Sequence, residues 1–240
     1  MNTNQKSELA RAIAWMLCSH AAHGLSTASI KGVGEITLRD GLIVAAAAIG
    51  SKHKNAWLLE REVEPDGWSD SNVDLMVYRV SGENKSLVGG TELKWWRQKD
   101  KGNASNRRRD LIKDLLRAAA LYTLSESFSF VALLATKESW DATTDTRGKD
   151  KALLDKLKSE SSEHWNIRDL SSSPSIKAAV RLLRNKVPVT TAFRTKLLNA
   201  CSLSDQSGIE CVARVWEVQK TQNSRWAVDP DDFNFIQDSV

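Results

Sequence analysis

Cysteine is scarce in this chain. The three present, Cys18, Cys201 and Cys211, are far apart or isolated and show no C-x-x-C spacing. That argues against a disulfide framework and fits a reducing cytoplasm. The opening stretch, MNTNQKSELARAIAWML, has no basic region followed by a clean apolar run and a cleavage site. The longest apolar run, GLIVAAAAIG, is far too short to cross a bilayer. An unprocessed, soluble, cytoplasmic protein with no membrane partner is expected. Gly89-Gly90 is no phosphate loop, because no Gly-Lys-Ser/Thr follows it. No serine or cysteine sits in a nucleophile motif, and there is no internal repeat or low-complexity tract.

What is present is an ordinary globular composition, with 27% charged and 41% hydrophobic residues in 240. That length buries a substantial core in one domain, or in one domain with an appendage. The net charge of +4 permits a polyanionic partner without demanding one, so the placement of charge carries more information than its sum.

Ser7 caps a helix in which Leu9, Ile13, Met16 and Leu17 recur at helical spacing, and Gly24 can close it. The alanine-rich TLRDGLIVAAAAIGSKHK reads as a buried helix with Thr37 as its cap. AWLLEREVE has strand character and stops at the turn Pro65-Asp66-Gly67. VDLMVYRV and LVGGTELKWWR are strands joined by hairpin chemistry in SGENKS. A helix follows, with Leu111, Leu115, Ala119 and Tyr122 as its apolar stripe. FSFVALLAT is a strand buried on both faces. KESWDATTDTRGKDK reads as a polar loop, and a helix is expected around Ala152 to Leu157. HWNIRDL reads as a short strand, SPSIKAAVRLLRN as a helix from near Pro174, and IECVARVWEVQ as a strand. VPVTTAFRTKLLNACS is ambiguous. The element order predicts an α/β domain around a mixed β-sheet flanked by helices.

One strand carries an oddity. Glu92 and Lys94, two residues apart, must point to the same side of a strand that should be burying itself. If the hairpin centres on Glu83, Asp74 lies across from Glu92 on the neighbouring strand; a slip of one residue would move it to the other face. Two carboxylates and an ammonium gathered at one end of a sheet suit a divalent cation, which takes carboxylate oxygens, a backbone carbonyl and water. An Asp/Lys pair across strands could equally be a modest surface salt bridge.

A helix, a strand, an Asp-bearing strand, a hairpin, a strand with Glu-x-Lys, a helix and a buried strand together resemble the core of the PD-(D/E)xK nucleases, the restriction-endonuclease-like fold. The resemblance covers roughly Glu35 to Thr136. It divides the chain into an N-terminal helical segment (1–34), the nuclease-like core (35–136), a packed α/β extension (137–222) and an acidic tail (223–240). It implies hydrolysis of phosphodiester bonds in DNA, with RNA not excluded, endo- or exonucleolytically. Asp74, Glu92 and the carbonyl of Leu93 would hold Mg²⁺, with Mn²⁺ as an alternative ion, and Lys94 would orient the attacking water. The literal Pro-Asp pair is Pro65-Asp66, which lies past the end of the ladder. A helix carboxylate is expected too: Glu35 is the candidate, with Asp40, Glu8 and Glu62 behind it. The same fold without activity would be a subunit that binds nucleic acid or a protein partner, or pairs with a second copy of itself.

Arg97, Lys99, Lys101, Arg107, Arg108, Arg109, Lys113 and Arg117 follow the Glu-x-Lys strand. They suit phosphate contacts along a nucleic acid, or a solvated helix start. Arginines at a helix N-terminus oppose its dipole, which favours an anionic partner from outside the chain. Trp96 shares the face of Glu92 and Lys94 and could stack on a base or fill the core. His20 and His23 have i,i+3 spacing, without the Cys or His partners a zinc site needs.

Overall fold

In a computed structural model, the structure describes all residues except 27–32, 98–102, 126, 146–147, 205–208, 222–225 and 228–240. Lys99, Lys101 and almost all of the acidic tail lie outside the described residues. Two helices open the chain, α1 (Thr3–Ser26) and α2 (Glu35–Lys52). The strands β1 (Trp57–Val63), β2 (Val73–Ser81) and β3 (Asn84–Trp96) follow, then α3 (Ala104–Ser125), β4 (Phe128–Thr136), α4 (Lys137–Thr144), α5 (Lys151–Lys158) and β5 (Ser162–Asn166). Helix α6 (Pro174–Leu183) and strands β6 (Val189–Thr190), β7 (Ala192–Ser204), β8 (Glu210–Lys220) and β9 (Trp226–Ala227) complete the described elements.

Seven strands form one mixed sheet in the order β1-β2-β3-β4-β8-β7-β5. Only β3 and β4 run parallel; the other neighbours are antiparallel. The α/β class and the flanked mixed sheet match the sequence expectation. Strands β5, β7 and β8, which come from 137–222, belong to the same sheet as β1 to β4.

Strand β4 is buried along its whole length, as its unbroken apolar sequence requires. Its side chains alternate: Val131, Leu133 and Ala135 pack on the side of α3, α5 and α6, while Phe130, Ala132 and Leu134 pack on the side of α1 and α2. Each fully buried large apolar side chain contributes roughly 1.5–3 kcal/mol. Leu9, Ile13 and Leu17 do so from α1, and Lys6 anchors that helix through Glu217 on β8 at 2.7 Å. Trp95 reaches from β3 to donate to the Val33 carbonyl at 3.0 Å, holding the approach to α2.

Several local expectations shift. Helix α1 begins before Ser7 and runs past Gly24, and α2 begins at Glu35 with Gly34, not Thr37, as its cap. The stretch from Lys137 is a helix, not a loop: Thr136 caps it by accepting from the Ser139 N–H, and Trp140, Thr143 and Thr144 are buried. The ambiguous stretch becomes the short β6 and the long β7.

Candidate functional site

The β2–β3 hairpin sets the register of the site. Ser81 pairs with Asn84 across the two-residue turn Gly82-Glu83, where Gly82 takes φ +61°, a conformation natural to glycine. Continued unchanged, that register would put Asp74 opposite Thr91. It does not continue: Tyr78 pairs with Leu87 but Val77 pairs with Gly89, so Val88 is an extra residue in β3. Past this bulge Leu75 pairs with Thr91, and the next position sets Asp74 opposite Glu92. Gly89 and Gly90 follow the bulge where the chain is crowded. A Cβ on Gly89 would stand 2.4 Å from the Phe128 carbonyl oxygen, and one on Gly90 would stand 2.8 Å from that of Leu75. The glycine pair is thus a close approach next to a bulge.

On the other side of β2, the β1 register places Glu62 opposite Asp74. Three carboxylates, Glu62, Asp74 and Glu92, therefore line up across three strands. Glu62 holds φ +50°, an uncommon backbone for a residue other than glycine.

These carboxylates are shared between two helices. Asp74 accepts from Arg39 Nε of α2 at 2.7 Å through Oδ1 and from the Leu93 backbone N–H at 2.7 Å through Oδ2. The same guanidinium bonds Glu62 at 2.7 Å and lies 3.8 Å from Glu35. Glu35 is thus brought beside Asp74, but with an arginine between them. Glu92 and Lys94 turn to α3. Glu92 Oε1 is 3.1 Å from Arg117 Nη2, and Lys94 Nζ is 3.1 Å from Asp114 Oδ2. Arg117 Nη1 lies 3.6 Å from Asp114 Oδ1, and Arg117 also donates to the Asn72 carbonyl.

Glu92 is 1% exposed and Asp114 is fully buried, so neither belongs to a surface salt bridge. Glu92 Oε1 and Asp114 Oδ1 face Arg117 without an aligned hydrogen bond. Burial outweighs the attraction of Arg117 and pushes the Glu92 carboxyl well above its usual range; the charges of Asp114 and Asp74 push the same way. The facing Asp114 outweighs burial at Lys94 and holds its ammonium firmly protonated.

The divalent ion expected from the sequence does not fit this arrangement. Arg39 occupies Asp74 and Arg117 occupies Glu92. Among the described residues no group of three or more His, Cys, Asp or Glu side chains could hold a metal ion. His20 is also otherwise engaged, its Nδ1 lying 2.9 Å from the Met16 carbonyl oxygen.

Within the basic row Arg107 and Arg117 are buried, and Arg108, Arg109 and Lys113 are half-buried and paired within the chain. Arg107 is buried and donates to the Arg97 carbonyl at 2.7 Å. Arg108 binds Asp150 and the Thr143 carbonyl, Arg109 binds Asp110, and Arg117 enters the core beside Glu92. Lys113 approaches Asp114 at 4.0 Å, and Arg97 is exposed. Much of the anionic partnership that the arginines needed is supplied by the chain itself. Trp96 serves the core, stacked on Trp140 with ring centroids 6.0 Å apart.

Sequence reasoning missed Asp114. The signal was there: Asp114 lies three residues after Leu111 and four before Ala118, inside the buried arc of α3. Arg117, three residues on, reads in sequence as a phosphate contact or part of a solvated helix start, yet it belongs to the same buried cluster. No protein-family model, no curated protein and no solved structure matches the chain.

Proposed function

We propose that this protein is a phosphodiester hydrolase acting on nucleic acid, DNA first, with Asp74, Glu92 and Lys94 as its centre on a restriction-endonuclease-like core. The observation that carries the reading is the convergence of Glu92, Lys94, Asp114 and Arg117 at the buried face of a central strand, with Asp74 in the adjoining register position. Buried charge is costly, and a stability role alone does not require it. In this reading Lys94, kept charged by Asp114, orients the attacking water and offsets negative charge developing on the phosphate. Asp74 is the carboxylate that takes the water's proton. No step is assigned to a metal ion.

The test is incubation of the pure protein with supercoiled plasmid, linear DNA and RNA, in Mg²⁺, in Mn²⁺ and in chelator. Cleavage is expected in at least one of these conditions, with a loss on the order of 100-fold or more in Lys94→Ala. Comparing the ion arms with chelator tells whether an ion enters once Arg39 and Arg117 move aside. Absence of cleavage in every arm, or full activity in Lys94→Ala, would sink the proposal.

A second reading, a non-catalytic subunit of the same fold that binds a protein partner, is favoured by the arginines seated on Asp74 and Glu92. Calorimetric titration with Mg²⁺ and Mn²⁺ separates the two. Flat titrations together with no cleavage support the subunit; an ion site lost in Asp74→Ala supports the enzyme.

A further inference from the structure

Cys18 and Cys201 are 183 positions apart, yet their sulfurs lie 2.9 Å from each other. Cys18 is on α1 and Cys201 on β7, so the contact joins the N-terminal helix to the sheet. We propose that Cys18 and Cys201 are an oxidisable dithiol pair that a hydroperoxide converts to a disulfide, stapling α1 to β7.

The geometry requires little movement. A disulfide bond is about 2.04 Å long, so each sulfur must shift by under about 0.5 Å. Access is one-sided: Cys18 is 2% exposed, while Cys201 is half-buried. Strand β5 pairs with β7 only from Ala192 to Lys196, and among the described residues no strand covers the open side of β7 at Cys201. Cys201 is therefore the attacking sulfur. The hydrogen bond from Cys18 lowers its thiol pKa against the effect of burial. The same sulfur–sulfur contact, aided by burial, holds Cys18 protonated.

The chemistry balances. The Cys201 thiolate attacks one peroxide oxygen, the O–O bond breaks, and the departing oxygen leaves as water after taking a proton. Cys201 is then a sulfenic acid. The Cys18 sulfur attacks it, the S–S bond forms, and the hydroxyl leaves with the Cys18 proton as a second water. The two sulfurs together give up two electrons, which the peroxide accepts. Cys211 is fully buried on β8, opposite Leu203, and takes no part.

The test treats the full chain with hydrogen peroxide, counts thiols and maps peptides by mass spectrometry without reductant. The thiol count should fall from three before treatment to one after it. The intact mass should drop by two hydrogens, and the Cys18 and Cys201 peptides should be joined until dithiothreitol separates them. The cross-linked protein should unfold roughly 5 °C or more above the reduced form, because a loop this long is closed. Cys211→Ser should behave as wild type, while Cys201→Ser should not cross-link. Three thiols surviving, oxygen added without a link, a link through Cys211, or an unchanged unfolding midpoint in the linked protein would each overturn the proposal. The wild-type thiol count and map need no variant to fold.

Discussion

Two buried clusters of charge sit on the same side of the sheet, and they differ in how well they are satisfied. Around Asp150 every demand is met. Its Oδ1 accepts from Ser173 Oγ at 2.5 Å and from the Ser175 N–H, and its Oδ2 accepts from Ser175 Oγ at 2.7 Å and Arg108 Nε at 3.1 Å. Ser173 in turn caps α6 by accepting from the Ile176 N–H. Asp150 thus ties the starts of α5 and α6 to α3, a structural task carried out with hydrogen bonds. Around Glu92 and Asp114 the hydrogen bonding is poorer: Lys94 holds Asp114 Oδ2 at 3.1 Å, but Glu92 Oε1 and Asp114 Oδ1 face Arg117 at 3.1 and 3.6 Å without an aligned hydrogen bond. A native interior rarely leaves such atoms in that state without a use for them. The contrast separates a joint from a candidate site more sharply than burial alone, since both clusters are buried.

The strongest way to break the comparison is Asp114→Ala. It leaves Lys94 in the interior without its carboxylate partner and takes a second one from Arg117, and should cost about 3–5 kcal/mol in urea unfolding. A cost under about 1 kcal/mol would mean that water reaches the cluster and that its poor satisfaction is no clue to function. Asp150→Ala comes next. Losing hydrogen bonds to a charged acceptor, while Arg108 can still turn to the Thr143 carbonyl, should cost about 2–3 kcal/mol with no change in any cleavage activity.

Asp150→Asn sharpens the difference through pH. Burial pushes the Asp150 carboxyl up, but hydrogen bonds from Ser173 and Ser175 and the charge of Arg108 overcome it and hold it below the usual carboxylate range. A carboxyl depressed in the folded state adds stability above its unfolded pKa, near 3.9, and that stability is lost as pH falls through the folded value. Wild type should therefore exceed Asp150→Asn by about 1–2 kcal/mol at pH 6, and the gap should close as the pH drops below the ordinary carboxylate range. A gap that does not change with pH would remove charge from the account.

The least destabilisation and the sharpest functional effect are expected of the double variant Lys94→Met/Asp114→Leu. Replacing both members of a buried ion pair with apolar groups should be neutral or stabilising by about 1–4 kcal/mol. Arg117 keeps Glu92. If the pair serves chemistry, cleavage disappears while the unfolding midpoint holds. If the pair serves no chemistry, cleavage should survive along with the unfolding midpoint.

Much of this fold was legible because burial and strand period leave direct marks. FSFVALLAT could hardly be anything but a central strand, and the two-residue spacing of Glu92 and Lys94 fixed their common side. Helix α4 was not legible, because KESWDATT looks polar; its buried side chains are Trp140, the threonines and Ser139, and its cap is Thr136. The arginines of α3 read as a basic surface because charge shows in a sequence while its direction does not.

By itself the sequence determined which residues alternate along a strand and recur along a helix, and hence the α/β class, the buried β4 and the shared face of Glu92 and Lys94. These follow from local backbone geometry, which acts within a few residues. Tertiary structure decided the rest. The extra residue at Val88 set Asp74 opposite Glu92, and packing of α3 against β3 brought Asp114 and Arg117 onto them. Helix α2 placed Arg39 on Asp74, and α1 laid Cys18 against Cys201. Each of these contacts joins residues distant in the chain, and their partners are set by the register and packing of whole elements, which no short window of sequence contains.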